Sequence, residues 1–218
     1  MSAKNGYRPA VTGSAAVYVP QELTLARLRE AAAGCRACPL WETGTRTVFG
    51  EGVEHAAVMF VGEQPGDQED REGRPFVGPA GRLLDRALEA AGVDREHLYV
   101  TNAVKHFKWQ LRGKRRLHKT PAQREIDACH QWLEQEIATV KPQVLVALGA
   151  TAAKAVIGKN FKVSVMRGQF VESPAAPYVF ATFHPSALLR LKDEAEKEAA
   201  FEQLVKDLKL IKKALGRP

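Results

Sequence analysis

The sequence is poor in cysteine, with three in 218 residues, and poor in aromatic residues, at 7%. Three thiols cannot all pair, so the fold does not rest on a disulfide framework. No run approaches the ~18 uninterrupted apolar residues of a membrane span. The opening MSAKNGYRPAVTGSAAVYVPQELT holds no long apolar core of the kind that directs secretion. Internal repeats and low-complexity tracts are absent. Neither G-x-G-x-x-G nor G-x4-G-K-[ST] follows the first apolar run, which leaves a nucleotide-binding enzyme with poor support. What is present is an ordinary globular balance, 45% hydrophobic and 26% charged. The expectation is a cytoplasmic protein: a loose arm over 1–20, then one domain over 21–218.

Acidic residues are missing from one place in particular. Between Lys105 and Lys119 stand seven Lys/Arg and no Asp or Glu, and the rest of the chain holds 25 bases against 25 acids. One segment therefore carries the whole net charge of +7. His106, Phe107, Trp109 and His118 are interleaved with its cations. Basic residues mixed with aromatics are the electrostatic mark of a nucleic-acid contact, although a solvated loop has the same composition.

Short apolar runs at 56–62, 98–104, 144–149 and 178–183 read as strands, the first covered on both faces. Helical patterns lie between them, at about 20–34, from Pro79, from Thr120 with Pro121 at the first position, and over 193–215. Such alternation predicts a three-layer α/β/α sandwich around a mainly parallel sheet. Ligands of these sheets bind beyond the carboxyl ends of the strands. Glu63, Asn102 and His184 all fall there.

Cys35 and Cys38 form a C-x2-C pair just past a helix end, and Cys129 lies far away. Three thiolates need a fourth ligand of another type, and His106 or His130 is best placed. Structural Zn²⁺ and an iron–sulfur cluster both suit that donor set. Taken alone, Cys129 also reads as a buried helix residue.

Gly62-Glu-Gln-Pro-Gly66, Gly73-Arg-Pro-Phe-Val-Gly78, Thr101-Asn-Ala-Val-Lys105 and His184-Pro-Ser186, in this order, resemble the motifs of the uracil-DNA glycosylase superfamily. The resemblance spans roughly residues 30–215. It is nearest to the iron–sulfur, family 4 type, with two departures. His106 stands where that family has its third cluster cysteine, and Lys114-Arg-Arg-Leu-His118 resembles the loop by which the UdgX branch joins itself to DNA.

The resemblance implies a [4Fe-4S] cluster on Cys35, Cys38, His106 and Cys129, with His130 a bystander. It implies that Asn102 reads the uracil edge, that Phe76 stacks on the base, and that Gln64 positions base or backbone. His184 would stabilise the departing uracil anion, Glu63 the sugar cation or the nucleophile, and Arg116 the loop or a phosphate. His118 would capture the sugar carbon. Lys114, Arg115, Arg116, Lys119, Ser186 and Arg190 would hold DNA, with Leu188 or Leu189 wedged into the duplex. The partner expected is uracil-containing DNA, single-stranded, bound by a monomer away from membranes. A conventional turnover glycosylase and a non-catalytic iron–sulfur DNA-binding module are the alternatives.

Overall fold

Val58, Met59, Phe60 and Val61 are all buried, and their side chains alternate between two separate apolar clusters. A strand covered on both faces needs helices on each side. The structure, a computed structural model, describes residues 13–216. It begins with α1 (Leu25–Ala33), β1 (Glu51–Gly52), β2 (Val58–Gly62), α2 (Asp67–Glu72), α3 (Pro79–Ala91) and β3 (Leu98–Asn102). A hairpin of β4 (Trp109–Arg112) and β5 (Arg115–His118) follows, then α4 (Gln123–Val140), β6 (Val144–Leu148), α5 (Gly149–Val156) and α6 (Val163–Met166). β7 (Tyr178–Thr182), α7 (Pro185–Leu188), α8 (Glu194–Leu208) and α9 (Leu210–Leu215) complete it.

The main sheet has the order β1-β3-β2-β6-β7, with β1 antiparallel and every other pairing parallel. Val58, Phe60, Val100 and Val146 pack with Leu84, Leu88, Leu204 and Ile211 of α3, α8 and α9. Met59, Val61, Tyr99 and Leu145 face the other way, onto Leu28 of α1, Trp132 of α4 and Ala152 of α5. This is the three-layer sandwich that the sequence predicts. In register, Gly62 lies beside Asn102 and Leu148 beside Thr182, so the carboxyl ends of four strands share one edge. No helix among the described residues is long and apolar enough to cross a membrane.

Several boundaries differ from expectation, each for a local reason. The first helix starts at Leu25 instead of about Pro20, because the Thr24 hydroxyl accepts the Arg27 N–H at 3.3 Å and caps it there. Pro121 is not the first residue of α4. That helix begins at Gln123, where the Glu125 carboxylate accepts the Ala122 N–H at 2.7 Å. The last helix is divided at Lys209. Of the arm expected over 1–20, residues 1–12 lie outside the described residues. Ala15–Tyr18 form a 3-10 turn whose Ala15 is buried in the cluster that holds Leu25 and Leu28.

The largest difference concerns the basic segment, which is a β-hairpin rather than a loop. Gly113 turns it with φ of 60°, a left-handed value that suits glycine at the first position of a two-residue turn.

Candidate active site and buried thiols

A cavity of about 680 Å³ opens at the shared strand edge. Glu63, Gln64, Phe76, Asn102, His118, His184, Ser186, Leu189 and Arg190 line it, drawn from five separate stretches of chain. At its floor Asn102 and Phe76 approach the end of β2 closely. A Cβ on Gly62 would lie 2.4 Å from Asn102 Oδ1 and 2.7 Å from Phe76 Cζ, so only glycine admits both side chains. Phe76 has φ of 56°, which costs a non-glycine residue about 1–3 kcal/mol unless its surroundings hold it. Glu69 provides that hold. Its carboxylate accepts the Gly66 N–H at 3.1 Å and the Gly78 N–H at 2.8 Å, tying together the two loops that flank the ring.

The Phe76 and His184 rings stack, with centroids 6.1 Å apart at an interplanar angle of 27°. His184 Nδ1 accepts the Ser186 N–H at 3.1 Å. A neutral His184 therefore carries its proton on Nε2. Burial, with help from His118 and Arg190, lowers its pKa to about 4, so neutral is its state at physiological pH.

The base of the hairpin is fastened to this cavity. Gln64 accepts the Lys108 N–H at 2.9 Å and donates to the carbonyls of Lys108 and Lys119, at 3.2 and 2.9 Å. Its amide thus positions backbone, at the residues that flank both strands of the hairpin. Arg116 ion-pairs with Asp67, bonds Asp70 Oδ2 at 2.7 Å and Thr45 Oγ1 at 3.0 Å, and lies over the Phe107 and Trp109 rings. These contacts set His118 Nε2 3.3 Å from Glu63 Oε1, while the Thr151 hydroxyl donates to the other Glu63 oxygen. The His118 pKa is lowered, chiefly by burial, with Glu63 opposing and Arg190 adding to the effect. The cation that acts on His118 is thus Arg190, from beyond α7, rather than its own neighbours in the hairpin.

Three of the seven cations in the basic segment already have partners. Lys105 is buried and ion-paired with Glu136, whose carboxylate also accepts from Gly50 N–H, Tyr99 and Thr101. Leaving such a buried charge unpaired costs about 3–5 kcal/mol. Lys108 pairs with Glu125 at 2.8 Å, and Arg116 is engaged as above. Arg112, Lys114, Arg115 and Lys119 are exposed. Leu188 is 4% exposed and belongs to the core, whereas Leu189 is 48% exposed and lines the cavity. Of the two leucines, only Leu189 is free to touch a ligand.

Cys35, Cys38, His106 and Cys129 are all buried. Burial pushes the Cys38 thiol up to about 11 and the Cys129 thiol up to about 12, with Cys35 pushing the same way on Cys38, and Cys38 and Cys35 on Cys129. The Lys105 N–H donates to Cys129 Sγ at 3.3 Å. His106 Nε2 is 2.9 Å from Thr47 Oγ1, and burial lowers its pKa to about 4, leaving a neutral imidazole. His130 instead meets Glu134 at 3.1 Å. Among the described residues no three of His, Cys, Asp and Glu converge around a point that would hold a single metal ion. Two buried side-chain N–H groups lack partners among these residues, those of Trp41 and Trp132. Each tryptophan lies three residues after a cysteine, Cys38 and Cys129 respectively.

Sequence reasoning missed Glu69, Asp67, Asp70 and Thr151, which hold the site without belonging to a motif. The only signal was the acidic run directly after Gly66, in a chain whose cations cluster some fifty residues away.

The cavity lies at the carboxyl edge of a parallel sheet, where α/β proteins bind their ligands, with two histidines and a carboxylate in its lining. The sequence comparisons give the family. Residues 49–209 match the uracil DNA glycosylase superfamily, and the chain belongs to it. It is 39% identical over 180 residues to a type-4 uracil-DNA glycosylase of Thermotoga maritima, an overlap covering 82% of this chain and 90% of that protein. A type-4 uracil-DNA glycosylase of Sulfurisphaera tokodaii is 36% identical over 174 residues, 76% of each chain. A type-5 uracil-DNA glycosylase of Pyrobaculum aerophilum is 30% identical over 164 residues, 68% of this chain and 69% of that protein.

Proposed function

We propose that the protein excises uracil from DNA and ends covalently bound to the sugar through His118, as in the UdgX branch. The observation that carries this reading is His118 facing Glu63 at 3.3 Å inside the cavity that also holds Asn102, Phe76 and His184. The target nucleotide must leave the base stack to enter. Asn102 donates to O4 and accepts from N3 of uracil. Cytosine reverses that pattern and would leave buried groups unpaired, at about 1–3 kcal/mol each. Phe76 stacks on the base, for about 1–3 kcal/mol by analogy with single-strand binders.

As the C1′–N1 bond breaks, its electrons leave with the base. The Nε2–H of neutral His184 donates to O2 and stabilises that anion. The sugar carbon becomes cationic beside the Glu63 carboxylate. The lone pair on the His118 nitrogen that does not face Glu63 forms the new N–C1′ bond. The imidazolium keeps its proton on the nitrogen that does, next to the carboxylate. Thr151 holds the second oxygen of Glu63 and so directs the first. Leu189 fills the place the base vacates, and Arg190, Ser186, Lys114, Arg115 and Lys119 hold the strand. A monomer on single-stranded DNA is the form this reading takes.

Cys35, Cys38, Cys129 and His106 would hold a [4Fe-4S] cluster. Each iron of a cluster takes one protein ligand, so its donors need not converge as they do around zinc. Neutral His106, with Thr47 on one ring nitrogen, has the other available. The partnerless Trp41 and Trp132 N–H groups suit an environment of sulfide acceptors. Through His106, a bound cluster would anchor the start of the basic segment.

Incubation with a uracil-containing single-stranded oligonucleotide should yield a complex that survives denaturing electrophoresis. Released uracil with free abasic DNA instead would make the protein a conventional turnover glycosylase. Equal, salt-sensitive binding of uracil and thymine strands with no released base would make it a binding module. The purified protein should be brown and contain iron and acid-labile sulfide. A colourless anaerobic preparation with stoichiometric zinc would overturn the cluster.

A further inference from the structure

The side-chain amide of Asn102 has to stay open to meet a base, and among the described residues no hydrogen bond fixes it. Its direction is therefore set by the backbone that carries it. Asn102 ends β3, and its carbonyl accepts from Lys105 Nζ at 2.7 Å. The two other donors of that ammonium go to Thr101 Oγ1 at 2.7 Å and to the Glu136 carboxylate. Glu136 accepts in turn from the Tyr99 hydroxyl at 3.0 Å and the Thr101 hydroxyl at 2.9 Å. Tyr99, Thr101 and Asn102 all belong to β3, so the pair grips the end of the strand that delivers Asn102 to the cavity. The backbone of Lys105 is itself pinned on both sides. Its N–H donates to Cys129 Sγ at 3.3 Å, and its carbonyl accepts the Val48 N–H at 2.8 Å.

Lys105 and Glu136 are both fully buried, and neither lines the cavity. An ion pair shut away from water is a poor route to stability, since well-packed apolar residues of similar volume often do as well or better. What this pair supplies is direction, with three donors on one atom aimed at the strand end. We propose that Lys105, oriented by Glu136, is a positioning residue for Asn102. It holds the Asn102 backbone from behind, so that the open amide meets the uracil edge in line. It thereby sets the preference for uracil over cytosine without touching either base. This inference rests on Asn102 reading the base, as proposed above.

The test measures binding of single strands that carry one uncleavable, 2′-fluorinated uracil or cytosine nucleotide, and takes the ratio of the two affinities. Lys105→Met alone strands the Glu136 charge and should melt well below wild type. Lys105→Met/Glu136→Gln removes both charges and keeps an amide oxygen for the Gly50 N–H, so it should melt close to wild type. In this neutral pair the preference for uracil should fall about tenfold, the worth of one well-aligned hydrogen bond, with affinity for the cytosine strand unchanged. Asn102→Ala should remove the preference, and adding the neutral pair to Asn102→Ala should change the ratio no further, because the pair acts through Asn102. A wild-type ratio in the neutral pair, or equal losses with and without Asn102, would overturn the proposal. So would a neutral pair that melts as low as Lys105→Met, which would assign the two residues to stability alone. If Asn102→Ala itself keeps the wild-type ratio, Asn102 is not the reader, and it is the reading beneath the proposal that falls.

Discussion

Two histidines share one cavity and are held in different ways. His184 sits at the start of α7, fully committed, with Nδ1 taking a backbone N–H and its ring against Phe76. His118 sits at the end of a hairpin, with a carboxylate 3.3 Å from one nitrogen. Both are kept neutral, in each case first of all by burial. The difference lies in what each neutral ring can offer. His184 has a fixed N–H to give, and His118 a lone pair with a base behind it. One ring suits the departing anion, the other the cation left behind.

Separating the two should produce the largest effects. His118→Ala should abolish the denaturation-resistant adduct while uracil release persists, since water can take the open position. If the adduct persists, the assignment of His118 falls. His184→Ala should slow uracil release by about 10²–10³, the usual loss of one transition-state hydrogen-bond donor, and adduct formation should fall with it. Release measured in single turnover checks this, and an adduct rate unchanged from wild type would contradict it.

Glu63→Gln should sharpen the contrast. It removes a charge-assisted hydrogen bond, for about 1.5–3 kcal/mol. The loss should fall more on adduct yield than on uracil binding, as titration with an uncleavable analogue would show. The smallest effect is on pH. With its pKa below the ordinary ~6.5, His118 stays neutral through physiological pH, so adduct formation should be level there and decline only on the acid side. Arg190 is one cause of that lowering. Arg190→Ala makes protonation easier and should move the acid limb to higher pH, and a limb that stays put would remove Arg190 from the account.

The layers of the fold are legible in the sequence because each parallel strand is a continuous apolar run, and such runs need cover on both faces. The cavity is legible in part for a related reason: Glu63, Asn102 and His184 follow strands whose ends must coincide in a parallel sheet. The supports are not legible, since their physics is long-range. Arg116 and Asp70 are 46 residues apart, Gln64 and Lys119 are 55 apart, and nothing in either local sequence names the other. For the same reason the seven cations look alike as a string. In space Lys105, Lys108 and Arg116 are ion-paired within the fold, and the cations at the tip of the hairpin are exposed. The hairpin itself had a local sign in Gly113 between two basic strands, hidden by the composition that made the stretch look like a loop.

The central claim is tested most directly by locating the bond. The protein is reacted with a uracil-containing single strand, digested with protease and nuclease, and the modified peptide is sequenced by mass spectrometry. The account predicts a uracil-free deoxyribose remnant on His118 and on no other residue. A remnant on another side chain, or unmodified peptide throughout alongside abasic DNA, would contradict it.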